Sequence, residues 1–120
     1  MSVNWKNGIT PISELTLENF PDFAEDYARY AYSLCYKATL NEKEAVTKSA
    51  AALAAVACQE AGKPGSDQLM PEEAIKRVLL DVLNKQQLVQ LNNDNMDTKI
   101  DPRQEYLDIV VKKAVSITNA

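Results

Sequence analysis

The sequence predicts an all-α protein, a single-domain bundle of four main helices preceded by an irregular N-terminal arm. Three observations carry that fold class. Apolar residues recur at spacings of three and four along four segments. Residues suited to helix ends punctuate those segments. No alternating strand pattern competes, and only the β-branched stretch from Ile109 to Val111 departs from good helix formers.

The arm, about 1–19, holds Gly8, Pro11 and the single tryptophan, Trp5. The first helix is expected over about 20–39, because Pro21 lacks the N–H that a first turn leaves unbonded and Asp22 complements the positive helix end. Its inward stripe reads Phe20, Phe23, Tyr27, Ala31, Leu34 and Ala38. Tyr32 and Tyr36 then fall on the opposite side, exposed or half exposed. Asn41, with Glu44 three residues on, approaches a capping box, so a second helix follows over about 42–61. Gly62 and Pro64 end it. The short link between these helices implies an antiparallel hairpin.

Pro71, Glu72 and Glu73 open a third helix, about 71–91, with Ile75, Val78, Leu79, Val82, Leu83 and Gln86 inward; Leu88 and Leu91 leave that stripe. Asp101 as cap, Pro102 in first position and Gln104 beyond start a fourth helix, about 102–118. Its inward side reads Tyr106, Leu107, Val110, Ala114 and Ile117, with Lys112 and Lys113 toward the negative helix end.

A chain of 120 residues, 46% hydrophobic and 25% charged, is long enough for one core without disulfides or metals. Its net charge of −4 repels phosphate, which argues against nucleic acid. No apolar run approaches the ~20 residues that cross a bilayer, and no signal peptide is visible, so a cytoplasmic protein with no membrane partner is expected. Cys35 and Cys58 fall among apolar helical neighbours and read as buried free thiols.

The chemistry on offer is sparse. There is no histidine, which removes the commonest general base and the commonest transition-metal ligand together. Cys35 has no visible base or cationic neighbourhood to make it a nucleophile. Glu72 with Lys76, Glu73 with Arg77, Asp81 with Lys85 and Asp108 with Lys112 have the four-residue spacing of solvated helix pairs. The stretch from Asn93 through Gln104 aligns with a twelve-residue calcium loop, with Asn93, Asn95, Asp97 and Asp101 as oxygen ligands. Thr98 replaces the turn glycine, however, and Gln104 replaces the closing glutamate, so no metal is expected there.

The segment KSAAALAAVACQEAG, residues 48–62, poses the sharpest question, because it holds seven alanines. Val46, Ser49, Ala50, Leu53, Val56 and Ala57 make an inward stripe, leaving Ala51, Ala52 and Ala55 on an uncharged outer side. One reading is that alanine forms helix well and is harmless in water. The other is that small residues admit a second backbone, either the Trp5 arm or another copy. These features lead to an expectation of a non-enzymatic helical interaction protein, an adaptor or regulator without cofactor. Tyr32, Tyr36, Ala51, Ala52 and Ala55 are its partner-binding residues, for a protein partner or a homodimer. The competing expectation is a small-ligand or metal-binding protein using the 93–104 loop or a cavity between helices.

Overall fold

The computed structural model describes residues 18–59, 71–92 and 102–119. These form five helices: α1 (Phe20–Thr39), α2 (Glu42–Gln59), α3 (Pro71–Val82), α4 (Lys85–Leu91) and α5 (Gln104–Thr118). No strand occurs among the described residues. The all-α expectation holds. The Trp5 arm, the Gly62 and Pro64 stop and the 93–101 segment aligned with a calcium loop lie outside the described residues.

Helix α1 starts as its sequence implies, with proline and Asp22 in the first turn. It ends at Leu40, whose left-handed backbone (φ 54°, ψ 30°) lets its N–H donate to the Tyr36 carbonyl at 2.7 Å. Glycine is the usual residue for this conformation, so a leucine here carries strain. Asn41 then caps α2 as expected, its Oδ1 accepting from the Glu44 N–H at 3.0 Å. The reciprocal half of the capping box is replaced. The Asn41 N–H donates to Thr39 Oγ1, and the Glu44 carboxylate accepts from Gln87 Nε2 at 3.1 Å.

The alanine question is answered by α2's position. It packs against α1, α3 and α5, whereas α4 packs on α1. Ala45, Ala50, Ala52, Leu53, Ala54 and Val56 are all buried, so the burial runs around most of the helix circumference. Facing it, α1 buries Ala24, Ala28, Ala31, Cys35 and Ala38, another row of small side chains. Small residues on both helices permit close backbone approach, which a large side chain on either would prevent. Ser49 is fully buried, but its hydroxyl is satisfied by donating within the helix to the Ala45 carbonyl at 2.5 Å or the Val46 carbonyl at 3.1 Å. Large residues complete the core: Phe20, Phe23, Ile75, Leu79 and Val110.

The predicted third helix is two helices. The chain breaks at Leu83–Asn84, where Asn84 is an extended N-cap and forms a full capping box with Gln87. Within one continuous helix, Leu88 and Leu91 would sit opposite the buried Ile75–Leu79 side. The break rephases the chain, and both leucines pack against the core. Helix α2 holds this corner from the side, with Lys48 Nζ donating to the Val82 carbonyl at 3.0 Å and Glu44 binding Gln87. Gln86, expected inward, is exposed as a result. Asp81 and Lys85 fall on different helices, so their expected pairing within one helix is lost.

Three further expectations are corrected. Pro102 precedes α5, and Arg103 is its extended N-cap, with no side-chain cap bond. Ile117 is 46% exposed and not inward. Cys58 is exposed, unlike Cys35.

Candidate functional site

Three tyrosines meet at the end of the bundle where α1 stops and α2 and α5 begin. Tyr32 and Tyr36, one turn apart on α1, stack with ring centroids 6.0 Å apart. Tyr106 of α5 stacks on Tyr32 at 6.2 Å with an interplanar angle of 8°. Its hydroxyl then donates to the Glu42 carboxylate at 2.8 Å, tying the first turn of α5 to the first turn of α2. The ladder therefore reads Tyr36, Tyr32, Tyr106, Glu42.

This arrangement corrects the expectation for Tyr32, which is only 2% exposed. The true inward side of α1 is centred on the small residues Ala24, Ala28 and Ala31, so Tyr32 joins the core and Leu34 becomes half-buried. Tyr36 is half-buried, as are Ala51 and Ala55, whereas Ala52 has no exposed surface. Tyr32 and Ala52 thus do not present themselves to a partner. Among the described residues no group of three or more His, Cys, Asp or Glu side chains could hold a metal. The 93–101 positions Asn93, Asn95, Asp97 and Asp101 fall outside that description.

Beside the ladder lies an open cleft of about 470 Å³ between the first half of α2 and α5. Glu42, Lys43, Val46 and Thr47 line one wall, and Tyr106, Ile109 and Lys113 line the other. Val46 is a buried floor, while Ile109 is 41% exposed. The cleft therefore combines the apolar surfaces of Val46, Tyr106 and Ile109 with one lysine from each helix. Lys113, expected to complement the end of α5, lines this wall instead, and the last turn of α5 carries no basic residue.

The electrostatics follow from this geometry. The hydrogen bond to Glu42 raises the Tyr106 pKa above its ordinary value, since the bond favours the neutral phenol. Burial raises Tyr32, and the Glu42 charge adds to it. Cys35 is pushed up to about 12 by burial, partly opposed by the Lys48 charge. Burial thus disfavours the thiolate, which is the nucleophilic form of cysteine.

Sequence reasoning missed Glu42, Lys43 and Lys113 as a group. No local signal joins positions 42 and 106, because their proximity depends on how α5 docks. The only available hint was the amphipathic pattern of α5, in which Ile109, Lys113 and Ile117 recur every fourth residue.

No family model matches the chain, and no curated protein or solved structure matches it either.

Proposed function

We propose that this chain is a non-enzymatic helical interaction protein, an adaptor or regulator, whose contact surface is the outer side of α5. The observation that carries the reading is the exposure of Ile109 (41%) and Ile117 (46%) on one line of α5, with Lys113 between them. Large apolar groups on one helix side supply a contact that lysine stems can extend. The composition supports binding over catalysis: the chain has no histidine, and the Cys35 thiol is buried with its pKa pushed up to about 12. The partner is a protein, in the cytoplasm, and a second copy of this chain is one form it takes. The net charge of −4 argues against nucleic acid. Among the described residues no helix is long and apolar enough to cross a membrane.

Ile117→Glu tests the reading, because this side chain is exposed and lies outside the cleft. Light scattering reads self-association, and quantitative enrichment from cells of the native host reads other partners. The reading expects wild type to associate or to enrich a defined protein set, and the variant to lose it. Identical behaviour of the two proteins in both assays contradicts it. A second reading, a small-ligand protein using an inter-helix cavity, is favoured by the α2–α5 cleft.

A further inference from the structure

We propose that the cleft between α2 and α5 binds a small organic monocarboxylate with an apolar body. Its volume of about 470 Å³ falls within the roughly 300–1,000 Å³ typical of small-molecule sites. A buried valine, Val46, lies beneath it and Ile109 beside it, so an apolar body finds a surface to cover. Lys43 and Lys113 line the same cleft from different helices, and lysine ammonium groups form charge-assisted bonds with carboxylates. The cleft's acid, Glu42, already accepts the Tyr106 phenol at 2.8 Å, which leaves Lys43 and Lys113 to meet an incoming anion. Summed over its lining, the cleft carries two positive charges and one negative, a balance of +1 that suits a monoanion. An acidic peptide is a poorer fit, because its several charges would meet the −4 of the whole molecule.

The cleft shares Ile109 and Lys113 with the α5 contact surface but not Ile117, so Ile117→Glu tests the contact surface and the lysine double variant tests the cleft. It is tested with three compounds sharing one apolar body: 4-phenylbutyrate, 4-phenylbutanol and 4-phenylbutylamine. Each is titrated into the full chain and followed by amide shifts in heteronuclear magnetic resonance. The expected result is saturable shifts at Lys43–Thr47 and Tyr106–Lys113, with the acid binding at least ~10-fold more tightly than the alcohol or the amine. Lys43→Gln combined with Lys113→Gln alters only exposed side chains and should abolish that preference. Glu42→Gln, which removes the opposing charge, should tighten acid binding. Equal affinity for acid and alcohol, shifts located elsewhere, or no saturable shifts at millimolar acid would each overturn the proposal. So would a lysine double variant that retains its preference for the acid.

Discussion

The Tyr106 hydroxyl donates to the Glu42 carboxylate at 2.8 Å across 64 residues of sequence, fastening the first turn of α5 to the first turn of α2. The neutral phenol is the form that can donate, and the Tyr106 pKa is accordingly raised. A raised folded-state pKa means that the stabilisation is complete below the ordinary tyrosine range near 10 and is lost as pH rises through the folded value. Alkaline titration followed by ultraviolet absorbance should show several late tyrosine ionisations in wild type and one fewer in Tyr106→Phe, with those of Tyr27 and Tyr32 remaining. Thermal midpoints of Tyr106→Phe, Glu42→Ala and the double variant should be non-additive at neutral pH. Full additivity would mean that the two side chains do not interact in solution.

The cysteines provide a contrast within one molecule. Cys58 is exposed, whereas Cys35 is buried with its pKa pushed up to about 12. A disulfide reagent at neutral pH should therefore modify Cys58 promptly and Cys35 only after denaturation. The Cys58→Ser variant should show no native reactivity. Rapid native labelling of Cys35 would mean that the α1–α2 packing opens readily.

Leu40 holds the left-handed position that ends α1 while remaining 51% exposed, so its side chain contributes little packing there. Leu40→Gly removes the Cβ clash but raises the entropy of the unfolded chain. The clash, about 1–2 kcal/mol, exceeds glycine's penalty, about 0.5–1 kcal/mol. A modest rise in thermal midpoint is expected, whereas a fall of several degrees would place the leucine side chain in a contact that outweighs the clash.

The corner between α3 and α4 depends on polar residues. Asn84→Ala removes the acceptor for the Gln87 N–H, at 2.8 Å, and should cost about 1 kcal/mol. Chemical denaturation provides the check. Unchanged stability would show that Leu88 and Leu91 alone hold α4 on α1.

That corner also shows where the sequence was legible. Helix starts set by local chemistry were readable: Pro21 and Asp22 begin α1, and Asn41 caps α2. The Asn84–Gln87 box was equally local, and Leu88 and Leu91 were already out of phase with Ile75 and Leu79. Those two signals together mark a break, although neither does so alone. Tyr32 was different. It lies at the flank of the side of α1 centred on Ala24, Ala28 and Ala31, and Tyr106 stacks on it from α5, a contact that no periodicity within α1 contains. The cleft has the same origin, since Lys43 and Lys113 become neighbours only after α5 docks beside α2.

Ala52 tests the account's central claim, that the alanine-rich helix is thin because its own chain surrounds it. Ala52 has no exposed surface, so a carboxylate there would be buried without a partner. The decisive measurement is the urea unfolding curve of Ala52→Glu, read by circular dichroism. The account predicts a loss of about 3 kcal/mol or more, or failure to fold, because an unpaired buried charge belongs among the most damaging substitutions. A variant with wild-type stability whose mass falls from dimer to monomer would contradict it, and would return Ala52 to an interface between copies.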